Sequence, residues 1–464
     1  MNKLTLPQVH QKIFSGITAC ANKLGVEAYV VGGYVRDMLL GLPSKDIDVV
    51  CVGSGIRLAR AVADYFGSTV AEYANFGTAA TVVHGVELEF VGARKESYDR
   101  GSRKPIVEDG TLRDDLTRRD FTFNALAVAL SGPMQGELID MFNGVRDLDS
   151  GMICTPTDPD ITFSDDPLRM LRAVRFATRF KFDVYAPVFE SIVRNVNRME
   201  IVSAERRRTE LNKIMSSPNA VEGIRSLDQC GLLNFLIPEL VALKGTETID
   251  GQSYKETYEH SLVVLQHAVD LTDNVWIRWA ALLHDIGKAR TRLFTKGFGW
   301  SFHNHEELGA KMVAKIFNRL KVPGDDSDFV QKLVKLHGRP MQMAGNVTDS
   351  AVRRIMFDAG DVIGPLMTLV RCDYSTVNPK RIERHLNYCD VVDAKMMELE
   401  AVDSMRAFRP AVDGIRIMEM FNLKPGREVG AYKNAMADAI LDGKVANNVE
   451  DLERWLQALP MGVV

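Results

Sequence analysis

Long apolar runs are absent from this sequence of 464 residues. Apolar stretches such as 125–130 fall far short of the ~20 residues that a membrane-spanning helix needs, so we expect no membrane span. The opening stretch MNKLTLPQVHQ lacks the apolar core and the cleavage site of an export signal. Cysteine is scarce as well: the six residues are scattered without CxxC spacing, which is typical of a cytoplasmic protein with reduced thiols.

An excess of positive charge is also missing, because 57 lysines and arginines stand against 61 aspartates and glutamates. The net charge of -4 excludes a global attraction to nucleic acid, so any RNA binding must use local basic clusters. Such clusters occur at 94–104, 113–119 and 169–179.

The pattern of the sequence changes along the chain. Up to about residue 155, short β-rich runs alternate with amphipathic helical stretches, which predicts a mixed α/β unit. From about residue 166 onward, helical periodicity dominates. The polar segments PTDPDITFSDDP and GTETIDGQSYKET mark boundaries. We therefore predict an α/β head at 1–155, followed by helical segments at 156–250, 251–375 and 376–464.

The stretch VVGGYVRDMLLGLPSKDIDVV combines a glycine turn with a pair of aspartates. Gly32 and Gly33 follow a buried strand and precede a helix, so backbone amides there could meet a phosphate. Asp46 and Asp48 lie on the next predicted strand, where residues i and i+2 share a face. Two carboxylates that converge in this way predict a Mg²⁺ site suited to phosphoryl transfer.

A predicted helix at 168–180 carries arginines three residues apart. Arg169, Arg172 and Arg175 form one stripe, and apolar residues occupy the other side. The planar arginine fork suits contacts with phosphate or with a base edge, and Asp166 supplies an acceptor beside it.

Four ordered motifs together resemble one family. GGYVR with DID resembles the signature of the class II tRNA nucleotidyltransferases (CCA-adding enzymes) and bacterial poly(A) polymerases, which belong to the polymerase-beta superfamily. RRDFTFNALAV, DMFNG and DDPLRMLRAVRF extend the resemblance over about residues 25–215.

That resemblance implies a head of the five-stranded nucleotidyltransferase type and an RNA-docking neck. It implies that Asp46 and Asp48 hold Mg²⁺, and that Asp166 and Arg169 pair with the incoming CTP or ATP. The other implied nucleotide-binding residues are Gly32, Gly33, Arg36, Arg119, Arg172 and Arg175. The family motif usually has glutamate where this sequence has Asp165, which leaves the role of that residue open.

Two further features of the head stay open at this stage. The segment 93–105 resembles the family's loop for switching between C and A addition, and its composition favours mobility. Glu87 and Glu89 share a face of a predicted strand, where one could be a third metal ligand or both could simply face solvent.

The helical region carries a second chemical pattern. His260, His284 with Asp285, and Asp373 resemble the H…HD…D ligand set of HD phosphohydrolases, and imidazole with carboxylate suits a transition metal such as Ni, Mn or Co. His305 and His337 stand where HD proteins with two metals have extra ligands. The resemblance permits phosphatase or 2′,3′-cyclic phosphodiesterase activity, and it equally permits a purely structural HD domain.

We therefore expect a cytoplasmic enzyme that adds CCA to the 3′ end of tRNA from CTP and ATP. A poly(A) polymerase and an enzyme that adds only CC or only A share its motifs and stay open as alternatives. A different class, an RNA-end phosphohydrolase with a nucleotide-binding head, is also open. The helical tail could contact tRNA or only pack against the protein, and the sequence does not indicate an oligomeric state.

Overall fold

The computed structural model describes residues 6–44, 46–74, 77–97, 106–253, 256–343, 347–403 and 410–459. The chain forms two compact units, Met1–Leu236 and Ile237–Val464. The finer division into four segments stays a prediction. No helix in the described part of the chain is both long enough and apolar enough to cross a membrane.

A seven-stranded mixed sheet forms the centre of the first unit, in the order β3-β4-β5-β2-β1-β8-β9. The strands of this unit are β1 (Ala28–Val31), β2 (Asp46–Cys51), β3 (Val70–Tyr73), β4 (Thr78–Val83), β5 (Val86–Gly92), β6 (Arg94–Ser97), β7 (Ile106–Asp109), β8 (Leu126–Ala129), β9 (Leu138–Asp140), β10 (Met152–Ile153) and β11 (Asp183–Val184). β6 with β7 and β10 with β11 form separate pairs. The sheet thus has two strands more than the five-stranded type that we expected, because β3 and β9 lie at its two edges.

Helices flank the sheet and then continue alone. They are α1 (Gln11–Leu24), α2 (Gly33–Leu39), α3 (Gly55–Phe66), α4 (Leu112–Thr117), α5 (Gly144–Asp149), α6 (Pro159–Asp165), α7 (Leu168–Phe180), α8 (Ala186–Asn195), α9 (Ala204–Met215), α10 (Ala220–Gln229) and α11 (Leu232–Leu236). Local chemistry sets several of these ends. The Ser54 hydroxyl accepts a hydrogen bond from the first turn of α3, and Thr111 with Asp114 forms a capping box on α4.

The two faces of β2 have different surroundings. Ile47 and Val49 belong to the apolar cluster that α1 and α3 cover. Val50 belongs to the cluster on the other face, together with Leu112 and Leu116 of α4. Side chains alternate along a strand, so Asp46 and Asp48 lie on the α4 side of the sheet.

The second unit is helical, as the sequence predicted. Its helices are α12 (Pro238–Val241), α13 (Thr257–Leu271), α14 (Val275–Leu283), α15 (Lys288–Thr291), α16 (His305–Arg319), α17 (Gly324–Leu336), α18 (Arg339–Gln342), α19 (Asp349–Ala359), α20 (Ile363–Cys372), α21 (Pro379–Asp403), α22 (Gly414–Phe421), α23 (Arg427–Leu441) and α24 (Val449–Gln457). Two small strand pairs, which the sequence analysis missed, interrupt it: β12 (Thr248–Ile249) with β13 (Gln252–Ser253), and β14 (Leu293–Thr295) with β15 (Gly299–Ser301).

Candidate active site and candidate metal centre

The aspartate pair of β2 stands beside a second carboxylate pair on β5. β2 and β5 run parallel, with Asp46 aligned to Glu87 and Asp48 aligned to Glu89. Leu88 on β5 points into the cluster under α1 and α3, so the glutamates share the face of the aspartates. Four carboxylates therefore meet at one end of two neighbouring strands.

Asp48 is one of two carboxylates in this group whose pKa is raised. Its burial raises its pKa; the positive charge of Arg119 lowers it, and the negative charge of Asp46 raises it again. The pKa of Glu89 is also raised, by burial and then by the charge of Asp48. Carboxylates that disfavour each other's ionisation in this way fit a hard divalent cation, which would supply the missing positive charge.

A cleft of about 360 Å³ opens next to these carboxylates. Its walls combine acidic and basic side chains. The lining residues are Asp48, Thr78, Glu89, Val91, Arg94, Arg118, Arg119, Asp120, Asp166, Leu168, Arg169, Arg172 and Arg206. Six residues singled out from the sequence thus come together here: Asp48, Glu89, Arg119, Asp166, Arg169 and Arg172.

The glycine turn lies against the RRDF motif, and the expected contact of its backbone amides with a phosphate stays a prediction. Gly32 has a φ of 68° and a ψ of -126°, a conformation that an L-residue rarely adopts. A Cβ at this position would lie 2.6 Å from Nη1 of Arg119 and 3.6 Å from the carbonyl oxygen of Asn124. Among the described groups, the close neighbour of Gly32 is therefore an arginine of the RRDF motif.

Asp115, which the sequence analysis did not single out, forms ion pairs with both Arg118 and Arg119. Nη2 of Arg119 lies 3.0 Å from one carboxylate oxygen of Asp115, and Arg118 bonds the other. Asp115 is fully buried, which opposes its ionisation, but the two arginines outweigh burial and lower its pKa. The signal in the sequence was an aspartate three and four residues before two arginines on one helical turn.

The remainder of RRDFTFNA ties the arginine helix α7 to helix α2. Asp120 accepts a hydrogen bond of 2.7 Å from Nε of Arg172 and one of 2.9 Å from the amide of Asn124. The other end of that amide accepts a hydrogen bond of 2.6 Å from Arg36. Burial alone would raise the pKa of Asp120, but Arg172, Asn124 and Arg169 lower it to about 2. The motif is therefore a buried ionic scaffold as well as a cleft wall.

Asp166 and Arg169 lie in the cleft, and both have protein partners. Asp166 accepts a hydrogen bond of 2.7 Å from Nη2 of Arg206 on α9. Arg169 donates to the carbonyl oxygen of Arg118 at 2.6 Å and to that of Thr162 at 3.3 Å. Arg206 is thus a cleft residue that the sequence analysis did not single out.

Two arginines expected among the nucleotide-binding residues are not among the residues that line the cleft. Arg36 is 5% exposed and pairs with Asp37 at 2.7 Å. Arg175 is buried, lies 4.0 Å above the ring of Phe176 and pairs with Glu210 at 2.6 Å. Neither lines the cleft, so the geometry favours a positioning role for both. Much of the expected switching loop, 98–105, lies outside the described residues.

In the second unit, five helix ends or first turns bring histidines and aspartates together. His260 is in the first turn of α13. His284 and Asp285 directly follow α14, His305 begins α16, His337 directly follows α17, and Asp373 directly follows α20. The closest pairs are Nε2 of His260 with Nε2 of His284, 3.2 Å apart, and Nε2 of His260 with Oδ1 of Asp373, 3.1 Å apart. Among described residues, the two groups of three potential ligands within 4.8 Å of one another are His260, His284, Asp373 and His284, Asp285, His337.

The histidine rings in this cluster are oriented as metal ligands are. Nδ1 of His284, His305 and His337 lies 2.9, 2.9 and 2.7 Å from the carbonyl oxygen three residues earlier. A carbonyl only accepts, so Nδ1 carries the proton and, in the neutral ring, Nε2 offers a lone pair to the cluster. Burial lowers the pKa of His284, but Asp285 and Asp373 outweigh it and raise that pKa to about 9. The cluster thus favours positive charge.

Asp285 stands between two sets of ligands. Its Oδ2 lies 3.3 Å from His284 and 3.6 Å from His260, and its Oδ1 lies 3.4 Å from His305 and 3.7 Å from His337. Oδ1 is buried and makes no hydrogen bond to a described residue. An orphaned buried carboxylate oxygen that faces two imidazoles fits a divalent metal ion.

Comparison with known protein families agrees with this layout. Residues 28–154 match the family described as "Poly A polymerase head domain", and residues 257–392 match "HD domain". Residues 181–243 match "Probable RNA and SrmB- binding site of polymerase A".

Two named relatives cover much of the chain. An A-adding tRNA nucleotidyltransferase of Deinococcus radiodurans is 31% identical over 448 residues, which are 93% of this chain and 96% of that protein. A multifunctional CCA protein of Neisseria meningitidis is 34% identical over 322 residues, which are 67% of this chain and 72% of that protein.

Solved structures share the fold. A CCA-adding enzyme in apo form II matches with a TM-score of 0.66 and 21% identity, over 98% of this chain and 97% of that one. The Thermotoga maritima CCA-adding enzyme complexed with tRNA matches with a TM-score of 0.61 and 19% identity, over 98% of this chain and 96% of that one. With this sequence kinship over nearly its whole length, the chain belongs to the family of tRNA nucleotidyltransferases and poly(A) polymerases, and it carries an HD domain.

Proposed function

We propose that this chain adds CCA to the 3′ end of tRNA from CTP and ATP. The observation that carries the proposal is the half-buried Asp48, next to Asp46 and Glu89, in a cleft walled by arginines. In the reaction, the 3′-hydroxyl of the RNA attacks the α-phosphate, the bond to the β-phosphate breaks, and pyrophosphate leaves. The names of the relatives from Deinococcus radiodurans and Neisseria meningitidis support tRNA as the substrate.

Asp46, Asp48 and Glu89 are the proposed holders of magnesium. A magnesium ion held by these residues would lower the pKa of the attacking hydroxyl and neutralise charge on the leaving oxygens. Glu89 is included among these proposed ligands because it lies in register with Asp48 and lines the same cleft.

Arg118, Arg119 and Arg172 supply the positive charge that a triphosphate needs. Asp115 and Asp120 fix these guanidinium groups before nucleotide binds, so little side-chain entropy is lost on binding. Such preorganisation favours transfer because positioning and electrostatics supply most of the catalysis in phosphoryl-transfer enzymes.

Asp166 and Arg169 are the proposed readers of the base. Cytosine and adenine both carry an exocyclic amino group next to a ring nitrogen that accepts a hydrogen bond. A carboxylate acceptor beside an arginine donor matches that pair of groups in both bases. One protein site can therefore select CTP and ATP against UTP and GTP.

Primer extension tests this proposal. We expect CTP and ATP together to complete tRNA that lacks CCA, and ATP alone to extend tRNA that lacks only the final A. Asp48→Asn should abolish incorporation, whereas Asp64→Asn should not, because Asp64 is exposed on α3, across the sheet from the carboxylates. Extension of only the second tRNA would make the chain an A-adding enzyme. Poly(A) growth on unrelated RNA would contradict the tRNA substrate.

A second function is favoured by the histidine cluster: metal-dependent hydrolysis of phosphate esters at RNA 3′ ends. His260, His284, Asp285 and Asp373 are the proposed ligands of one transition-metal ion such as Ni, Mn or Co, and Asp285 with His305 and His337 offers a second position. A metal ion there would activate water and polarise the phosphoryl oxygens.

Hydrolysis of 2′,3′-cyclic nucleotides with each added metal tests the second function. His284→Ala should remove it. His303→Ala is the matched control, because His303 is exposed and lies two residues from His305. Absence of turnover with every metal would leave the domain structural.

The cytoplasm is the compartment that we propose, and it suits the six free thiols.

A further inference from the structure

The face of the central sheet that carries Asp48 and Glu89 continues across β4 and β3. Ala80 on β4 is in register with Glu89, and Ala71 on β3 is in register with Ala80. Because side chains alternate along a strand, five residues of β3 and β4 share the face of these carboxylates. They form what we call the outer strip: Ala71, Tyr73, Thr78, Ala80 and Val82.

The outer strip is open to solvent, whereas the other half of the same face is covered. Tyr73 is 53% exposed and Val82 is 58% exposed. On the β1 side of the face, Leu112 and Leu116 of α4 pack against the sheet. Thr78 also lines the cleft, so the outer strip is continuous with the candidate active site.

The orientation of Tyr73 is fixed by its neighbours in β3. Glu72 points to the opposite face, where its two carboxylate oxygens accept hydrogen bonds of 2.5 and 2.6 Å from Arg60 of α3. Val70 packs against the apolar cluster on that same side. Tyr73 therefore stands on the cleft side, and β3 lies two strand spacings, about 10 Å, from Glu89 on β5. That distance is close to the length of one nucleoside.

Asp48 lies between the outer strip and the arginine that contacts the glycine turn. In the sheet, β2 has β1 as its neighbour on one side and β5 on the other. Asp48 is in register with Val31 of β1, and the next residue, Gly32, lies against Arg119. Positive charge for a triphosphate thus lies on the β1 side of Asp48, and the outer strip lies on the β5 side.

This order determines the direction from which the RNA must arrive. Phosphoryl transfer places the attacking and leaving oxygens roughly in line, on opposite sides of phosphorus. With the triphosphate beside Arg119, pyrophosphate leaves on the β1 side, so the 3′-hydroxyl enters from the β5 side. The outer strip consists of uncharged residues, and Glu87 and Glu89 stand at its border. Carboxylates repel phosphate, so the part of the RNA that suits the strip is an uncharged base.

We propose that the outer strip receives the 3′-terminal nucleotide of the RNA, with its base stacked on Tyr73. The proposal rests on the transferase function proposed above, and it names the surface and the residue that position the attacking end. Stacking on an aromatic ring accepts every base, because each base has a flat π-face. An enzyme that adds C, C and A in turn needs this tolerance, since the last base of its substrate changes during the reaction.

The test removes the ring and the base separately and together. The full chain with Mg²⁺ and ATP extends a tRNA that lacks only the final A, and a second tRNA whose terminal cytidine is replaced by 1-deoxyribose, which keeps the 3′-hydroxyl but has no base. Tyr73→Ala should lower kcat/KM for the first tRNA by roughly 5- to 150-fold, the usual range for one base stacked on an aromatic ring. It should change kcat/KM for the baseless tRNA little. Tyr73→Phe should retain most activity, and KM for ATP should stay the same in both variants.

Tyr65→Ala is the matched control, because Tyr65 is 60% exposed but lies on α3, which covers the opposite face of the sheet. It should leave kcat/KM for both tRNAs unchanged. An equal loss on the two tRNAs in Tyr73→Ala would show that the ring does not contact the terminal base, and no loss on either would also overturn the proposal. If Tyr73→Ala converts a dimer into a monomer in light scattering and leaves RNA extension unchanged, the strip is an interface between two copies of the chain and the proposal fails.

A cross-linking measurement separates this proposal from the transferase function. The tRNA ends in 5-iodocytidine, which forms a photochemical cross-link with an aromatic ring stacked on it, and the chain is irradiated without nucleotide, so that no turnover occurs. Mass spectrometry should locate the link at Tyr73 in the parent and in Tyr65→Ala, and the link should be lost in Tyr73→Ala. If it forms at Tyr73 but the chain incorporates no labelled nucleotide, the transferase function fails and the outer strip stands. If incorporation occurs and the link forms elsewhere, the outer strip fails alone.

Discussion

Substitution of Gly32 by alanine should damage the active site through Arg119. The backbone at Gly32, with φ of 68° and ψ of -126°, should cost a side chain about 1–3 kcal/mol of stability. The new Cβ would also lie 2.6 Å from Nη1 of Arg119, so the guanidinium must leave its place between Asp115 and the carbonyl of Asn124. Losing one preorganised donor of this kind typically lowers kcat by about 10²–10³-fold.

The test is a double-mutant cycle of Gly32→Ala with Arg119→Ala. For each variant, urea unfolding measures stability and incorporation of labelled ATP measures kcat. In the Arg119→Ala background there is no guanidinium to displace, so Gly32→Ala should cost backbone strain only and lower kcat little further. Gly67→Ala is the backbone control, because Gly67 has a φ of 69° and nothing within 4 Å of its Cβ position. It should lose about 1–2 kcal/mol of stability at unchanged kcat. Activity losses of Gly32→Ala and Arg119→Ala that multiply in the double variant would refute this reasoning.

Three further substitutions test other parts of the site. Asp120 has its pKa lowered to about 2 from the ~3.9 of an unfolded chain, so its charge should contribute ~2 kcal/mol above pH 4, lost as the pH falls towards 2. Urea unfolding of Asp120→Asn should therefore differ from the parent more at pH 6 than at pH 3. Arg206→Ala removes the partner of Asp166 in a partly exposed ion pair, which is worth ~0–1 kcal/mol, and should raise KM for CTP and ATP by no more than about 5-fold without changing kcat. His337→Ala removes a ligand on the Oδ1 side of Asp285 only, so plasma emission spectrometry should find fewer bound metal ions per chain but not their complete loss.

Short-range patterns in the sequence predicted the parts of the site that a single element determines. Alternation along β2 correctly placed Asp46 and Asp48 on one face, because neighbouring strands cannot alter the period of the pleat. The turn at Gly32 was predicted for a similar reason, since a strand followed at once by a helix needs a glycine conformation. The residue that fills the space above this glycine, Arg119, comes from a distant element and was not predictable in the same way.

The arginine stripe shows where helical spacing misleads. A step of three residues turns a helix by about 300°, so two such steps carry a side chain about 120° away from the first. Arg169 consequently lies in the cleft, whereas Arg175 has turned into the core to meet Glu210 on α9. That partner was not predictable from the sequence, because pairing between helices depends on tertiary packing.

The hairpin β14–β15 was missed for another reason. Its strands have three residues each, and they lie between helical segments whose periodicity dominates any longer window. The sequence LFTKGFGWS nevertheless contains a local signal, since aromatic residues flank a turn with two glycines. Only the fold brings Trp300 and Phe302 next to His260 and Asp285.

The charge of Asp48 decides between a transferase and a head that only binds nucleotide. A nucleoside triphosphate is a polyanion, so a carboxylate beside Glu89 in the cleft weakens its binding unless a cation lies between them. Asp48→Asn should therefore tighten binding of CTP to the metal-free protein, and it should abolish incorporation when Mg²⁺ is present. Calorimetric titration with and without Mg²⁺, next to the labelled-nucleotide assay, measures both effects. If the head only binds nucleotide, Asp48→Asn should raise its affinity for CTP both with and without Mg²⁺. In a transferase, turnover depends on Asp48, so the same substitution abolishes incorporation.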